Sequence, residues 1–202
     1  MSNRAMFLNP VLAAMAALML AAGPGAGPAQ GQDGAANAPA APEAAGDMAT
    51  LLADLRDAEN GTWRRTERQI LLEWSRSGSA AMDLLLQRGR DAMRDGDTDA
   101  AIEHLTALTD HAPDFAEGWN ARATAFFNAK AYGPSVADIA RTLTLNPHHF
   151  GALSGLGMIF EETGDKKRAL EAYRAALAIH PRLEGIQARA DRLAAELEGQ
   201  DV

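Results

Sequence analysis

Histidine is the side chain to begin with, because the 202-residue chain has no cysteine and five histidines. His111, His148, His149 and His180 stand beside three prolines, Pro113, Pro147 and Pro181, while His104 lies apart. Imidazoles on stacked turns can share a metal ion, so His111, His148 and His180 are the set that a zinc-type site would draw on. No cysteine or paired carboxylate joins them at ligand spacing, and they read as solvated turn histidines with no metal. Asp95, Gly96, Asp97 and Asp99 begin like a calcium loop, but the twelve-residue ligand order and its closing glutamate are missing. Nucleophile elbows, zinc-helix motifs, phosphate loops and dinucleotide fingerprints are absent. The residues therefore point away from an enzyme: no catalytic residue, no cofactor. A metal-dependent or polymer-modifying enzyme using the interrepeat histidines is the rival reading, and a purely structural spacer the third.

Charge removes another class. The chain carries 27 acidic against 19 basic side chains, whereas phosphate backbones require clustered Lys and Arg. The Arg64-Arg65 and Lys166-Lys167-Arg168 runs are short and read as solvated helix starts. No nucleic-acid partner is expected. The missing cysteine excludes disulfides, thiolate catalysis and lipid attachment through cysteine. A hydrophobic content of 47% excludes a wholly disordered chain.

The first 29 residues read as an export signal. Arg4 supplies the positive start, and residues 11–22 form an unbroken apolar run, short of the roughly 20 residues that a membrane span needs. Gly27 and Ala29 fit a peptidase site with Gln30 as the new N-terminus. The expected location is periplasmic, with no membrane insertion after cleavage; an uncleaved anchor is the alternative. Residues 30–46, rich in Pro, Gly and Ala, read as a disordered linker, because such a segment buries too little surface to offset its ordering entropy.

The elements that would position everything else come from a repeat. Pro113, Pro147 and Pro181 are 34 residues apart and define windows 82–115, 116–149 and 150–183. The second window places Trp119, Ala123, Phe126, Ser135, Ile139 and Pro147 at positions 4, 8, 11, 20, 24 and 32. The third places Leu153, Gly157, Phe160, Ala169, Tyr173 and Pro181 at the same positions, with Ala176 at 27. The first has Leu85, Gly89, Ala101, Leu105 and Pro113. This pattern resembles the tetratricopeptide repeat (TPR) family over roughly half of the chain. The resemblance implies an all-α fold: a right-handed superhelix of three helix-turn-helix repeats, each an A and a B helix. Small residues at 8 and 20 would let the two helices touch, Gly89 facing Ala101, Ala123 facing Ser135 and Gly157 facing Ala169. Trp119, Phe126, Phe160 and Tyr173 are expected as core. Glycine turns fall at Gly96 and Gly164, whereas the middle repeat has Asn128-Ala129-Lys130 and a later Gly133-Pro134.

An array of repeats needs caps. Ile186, Ala190, Leu193 and Leu197 recur at helical spacing, so residues 184–198 are expected as a C-terminal capping helix. Residues 47–81 read as an N-terminal helical hairpin or degenerate repeat; Leu55, Glu67 and Trp74 occupy positions where the family has small residues.

The family resemblance also implies where a partner would lie. TPR proteins bind protein or peptide partners in a concave groove lined by helix A. Carried over, the candidate groove residues are Leu86, Arg90, Met93, Arg94, Asn120, Thr124, Phe127, Asn128 and Met158. Arg90 and Arg94 would give a basic end, Glu161 and Glu162 an acidic one. The Lys and Asn of the family's carboxylate clamp are Leu86 and Arg90, Asn120 and Thr124, and Ser154 and Met158 here, so capture of a chaperone C-terminus is not implied. The expected function is an exported interaction module, an adaptor or assembly factor of the cell envelope. The competing arrangement has helices of residues 48–77 folded over the groove and filling it.

Overall fold

The computed structural model describes residues 43–57 and 62–199; the expected export signal and most of the expected tether lie outside them. Nine helices account for the described residues: α1 (Glu43–Asp57), α2 (Trp63–Trp74), α3 (Ala80–Asp95), α4 (Thr98–His111), α5 (Ala116–Asn128), α6 (Tyr132–Leu145), α7 (Phe150–Glu162), α8 (Lys166–Ile179) and α9 (Glu184–Glu198). The first begins inside the stretch expected to be a tether, at Glu43.

Helices α3–α4, α5–α6 and α7–α8 pair as hairpins, and each hairpin packs on the next. The chain is an all-α solenoid of helix-turn-helix units with terminal helices. Asp97 and Asp165 cap α4 and α8 by accepting from the backbone N–H of Ala100 and Arg168, satisfying donors that a helix start leaves open. Gly96 and Gly164 end α3 and at the α7–α8 turn take φ of 81° and 85°, conformations that cost glycine little. The middle hairpin makes the same turn without glycine: Lys130 sits at φ 57°. Its N–H still donates to Phe127 O at 2.8 Å, and that of Ala131 to Phe126 O at 2.8 Å.

Close packing within hairpins follows the small residues, with one correction. A Cβ on Gly157 would lie 2.4 Å from the Tyr173 ring, and one on Gly89 would lie 2.4 Å from Leu105 Cγ. These glycines seat the large residue at position 24, rather than facing Ala169 and Ala101 alone. Ser135 behaves as expected, its hydroxyl donating to Ala123 O at 2.7 Å. Trp119 and Phe126 are half-buried, not core, whereas half-buried Phe160 packs against two core clusters. Arg122 lies over the Trp119 and Phe126 rings at 4.8 and 5.7 Å, and Arg168 over Phe160 at 4.5 Å. Arg122 also clamps Asp138 through two bonds of 2.7 and 2.8 Å and donates to Thr109 at 2.7 Å, tying α4, α5 and α6 together. Tyr173 alone of the four is fully buried.

The N-terminal hairpin docks along the side of the array. Helix α1 packs on α8, with Arg56 Nε donating to Ala178 O at 3.3 Å. Along α2 the rings alternate with those of the array. Trp63 meets His180 edge-on at 5.5 Å, His180 meets Phe150 at 5.2 Å, Phe150 meets Trp74 at 5.1 Å, and Trp74 stacks on His149 at 4.6 Å. Leu52, Leu55 and Ile70 are buried in the core that includes Ile139, Leu143, Leu153 and Ala176. At the other end α9 spans the residues expected of the cap and buries Ala190 and Leu193 with Tyr173 and Leu170.

Candidate peptide groove

Helices α5 and α7 are the first helices of successive hairpins, and a cleft of about 90 Å³ opens between them. Asn120, Thr124 and Phe127 project from one side, three to four residues apart, and Gly151, Gly155 and Met158 from the other. Ala123, Ile139, Ala152 and Ile159 complete the lining. This spacing follows from the helical period, which places residues i, i+4 and i+7 on one face. The two glycines set the width. A Cβ on Gly155 would meet only Ile139 Cδ1, at 3.8 Å. Phe127 is half-buried and leans on Tyr132 at 5.8 Å.

Polar groups along the cleft donate inward. Thr124 Oγ1 donates to Asn120 O at 3.0 Å, Ser135 to Ala123 O, and Asn120 Nδ2 to Glu117 Oε2 at 3.2 Å. No charged side chain lines this cleft.

The structure thus brings together Asn120, Thr124, Phe127 and Met158. Asn128 is exposed at the end of α5 and does not line the cleft. The first-hairpin candidates lie in a separate depression on α3, lined by Leu86, Arg90 and Arg94 with Ser75 and Asp83. Two of them correct the sequence expectation. Leu86 is only 2% exposed and packs with Leu105, Ala121 and Ala125, so it is a core residue; Met93 is half-buried against the same cluster. Arg94 pairs with Asp91 of its own helix.

Arg90 belongs to a polar knot beneath the N-terminal hairpin. Its guanidinium pairs with Glu117 and donates to Ser75 Oγ at 3.2 Å. Glu117 Oε2 also meets His149 Nε2 at 2.9 Å, while His149 Nδ1 accepts from Ala152 N–H at 3.1 Å and caps α7. Burial pushes the Glu117 carboxyl up, but His149 and Arg90 outweigh it and hold it below the usual carboxylate range.

The expected acidic end is also engaged. Glu161 accepts from Tyr173 Oη at 2.7 Å and from Arg189 at 2.9 Å, and it pairs with Arg192. Burial raises its pKa, yet Tyr173 and the two α9 arginines lower it overall.

The histidines are not all solvated, as the sequence suggested. His149 and His180 are 2% and 0% exposed. His180 Nε2 makes no hydrogen bond among the described residues, though Glu67 Oε1 lies 3.3 Å away. Burial lowers the His180 pKa, against the pull of Glu67 and with the help of Arg182. Neither side chain joins a metal-binding group: no cluster of three or more His, Asp or Glu suited to a metal occurs among the described residues. The buried roles were missed because both histidines depend on partners far away in sequence, Trp74 and Glu117 for one, Trp63 and Glu67 for the other.

The hairpin does not fill the cleft. Its aromatic contacts fall at His149, Phe150 and His180, at the N-terminal end of α7 and beyond α8, and none of its residues lines the α5–α7 opening.

Comparison with known proteins agrees with this architecture. The tetratricopeptide repeat family matches residues 86–133 and 135–184. A TPR repeat-containing protein of Rhizobium etli is 38% identical over 131 residues, which cover 65% of this chain and 64% of that protein. The chain spans less than two thirds of the length of the curated relatives it matches. Among solved structures, the Sgt2 TPR domain from Aspergillus fumigatus superimposes with a TM-score of 0.57 at 21% identity, covering 61% of this chain and 83% of that one. The first TPR of Spaghetti, solved bound to an HSP90 peptide, gives a TM-score of 0.56 at 21% identity, covering 58% and 93%.

Proposed function

We propose that the chain, which matches the tetratricopeptide repeat family over residues 86–133 and 135–184, holds a segment of a partner protein in the cleft between α5 and α7. The repeat fold is a non-catalytic interaction scaffold, and the chain is not an enzyme. One observation carries the choice of site: Asn120, Thr124, Phe127 and Met158 converge on one open cleft that the terminal helices leave uncovered. The peptide-bound TPR of Spaghetti supports the same mode of use. Three hairpins, α3–α4 to α7–α8, are read as three repeats.

The reading extends to location. The apolar run at residues 11–22 and the small residues at Gly27 and Ala29 support an exported adaptor or assembly factor of the envelope, with a mature N-terminus near Gln30. Among the described residues no helix is long and apolar enough to cross a membrane. Intact mass of the native protein tests the processing: retention of residues 1–29 refutes cleavage.

Photocrosslinking tests the groove. A photoreactive residue at Thr124, exposed on the wall of the cleft, should capture a discrete partner that the same group at exposed Glu171 on α8 does not. Phe127→Ala should weaken that capture by about 2 kcal/mol, the hot-spot range. Equal capture from both positions, or capture indifferent to Phe127, rejects the groove.

A further inference from the structure

We infer that the α5–α7 cleft selects an internal, uncharged stretch of extended chain and anchors it through one branched aliphatic side chain. This rests on the groove reading above and specifies its ligand.

Size gives the anchor. The cleft holds about 90 Å³, whereas an apolar cavity of about 150 Å³ is what admits benzene. A Val, Leu or Ile side chain matches the smaller space better than an aromatic ring does. The floor is hydrocarbon from Ala123, Ile139, Ala152 and Ile159, so burying an aliphatic group there is favourable at about 25 cal/mol per Å². Gly151 and Gly155 expose helix backbone without a Cβ on the facing wall, which lets the main chain of a ligand approach closely.

Electrostatics excludes the alternatives. An anionic side chain or a chain-terminal carboxylate needs donors. Here the Thr124 and Ser135 hydroxyls already donate to Asn120 O and Ala123 O, and Asn120 Nδ2 commits one of its two N–H groups to Glu117, leaving a single neutral N–H, which suits a peptide carbonyl and is too little for a carboxylate. The cation nearest in the pattern, Arg90, is held by Glu117 and Ser75. A cationic side chain needs a carboxylate, and Glu117 is buried against Arg90 and His149. An ion entering the cleft would lose its hydration with nothing to replace it.

The test uses the protein with blocked Gly-Ser peptides, each carrying one central Leu, Val, Phe, Asp or Lys, read by amide NMR shifts. The Leu and Val peptides should give saturable shifts at Ala152, Gly155 and Met158. The Asp and Lys peptides should bind at least about tenfold more weakly, and unblocking the C-terminus should not tighten binding. Gly155→Leu, which fills the cleft from its own wall, should abolish the Leu-peptide shifts while circular dichroism and the thermal melt show a folded array. Preference for Asp, for Phe or for a free carboxylate overturns the inference and leaves the groove standing. A folded Gly155→Leu protein that still binds overturns it as well. Absence of saturable shifts from both the Leu and the Val peptides also overturns it, and the Thr124 crosslink then decides whether the groove reading falls too.

Discussion

Gly157→Ala tests the packing logic with the smallest possible change. The added Cβ would lie 2.4 Å from both Cδ1 and Cε1 of Tyr173, whereas non-bonded carbons rest about 3.5–4.0 Å apart. The overlap exceeds an ångström against a flat, rigid ring. That ring cannot slide away cheaply. It is fully buried, and its hydroxyl donates to Glu161, which Arg189 and Arg192 of α9 hold in turn. Overpacking of this kind costs about 1–3 kcal/mol, and the upper part of that range applies where the neighbour is pinned. Alanine returns about 1 kcal/mol of helix propensity relative to glycine. The net loss should be about 2 kcal/mol, a fall in Tm of about 4–8 °C for a domain of this size.

Gly155→Ala is the internal control, two residues away on the same helix. Its Cβ would rest 3.8 Å from Ile139 Cδ1, an ordinary contact, so the propensity gain of up to about 1 kcal/mol should appear as added stability. Urea titrations of both variants, with hydrogen exchange to localise the change, check the pair. The loss should fall on the α8 and α9 amides. Joining Gly157→Ala with Tyr173→Leu should give a coupling of at least about 0.5 kcal/mol, because the two sites touch. The reasoning is refuted if Gly157→Ala is as stable as the parent, or if both glycines respond alike.

Other expectations rest on separate features. Lys130→Gly should stabilise the protein by about 0.5–1 kcal/mol, since a non-glycine residue in the left-handed region costs about 1–2 kcal/mol and glycine gives part of that back in unfolded-chain entropy; a lower melting temperature would contradict it. Trp74→Ala removes the ring that stacks on His149 and meets Phe150 at a tilt and should cost about 3 kcal/mol, with hydrogen exchange rising first in α1 and α2 while α5–α8 stay protected; uniform loss of protection would contradict independent docking. Glu117→Gln should show a pH signature. The folded-state pKa of Glu117 lies below its ordinary 4.5, so its charge contributes stability that is fully present above that value and fades as pH falls through the lower folded value. The stability gap between parent and variant should therefore be widest near neutrality and close in acid; a gap independent of pH would remove the ionised Glu117–His149–Arg90 knot.

What was legible in the sequence was what repeats. Prolines 34 residues apart, small residues at positions 8 and 20 and the run of Ile186, Ala190, Leu193 and Leu197 express local geometry, and local geometry leaves a period in the chain. The docking of the N-terminal hairpin left none. Leu55, Glu67 and Trp74 looked like faults in a degenerate repeat, because the family has small residues there. Each is a docking residue: Leu55 is fully buried, Glu67 faces His180 and Trp74 stacks on His149. The same limit explains Leu86, assigned to the groove by its position. A first repeat lacks a preceding repeat, and Leu86 turns into the core it shares with Ala121 and Ala125 of α5. Trp119 erred in the other direction. Its indole N–H donates to Pro113 O at 3.0 Å, which keeps the ring at the surface where Arg122 and Arg141 can cover it.

The charges at the two ends of the groove illustrate why position in a repeat does not fix function. In sequence, Arg90 and Arg94 at one end and Glu161 and Glu162 at the other suggest a groove for a peptide with polarity. In the fold, each end is joined to a terminal element. Arg90 bonds Ser75, just past α2, and neutralises Glu117; Glu161 receives Arg189 and Arg192 from α9. A charge paired inside the molecule is removed from the field that a ligand experiences, and a partly buried pair is screened little by salt, so it stays removed. The caps therefore do more than cover apolar ends. With Arg90 neutralised by Glu117 and steadied by Ser75, and Glu161 neutralised from α9, the cleft between them is neutral, and recognition there falls to shape, to hydrocarbon and to the main chain.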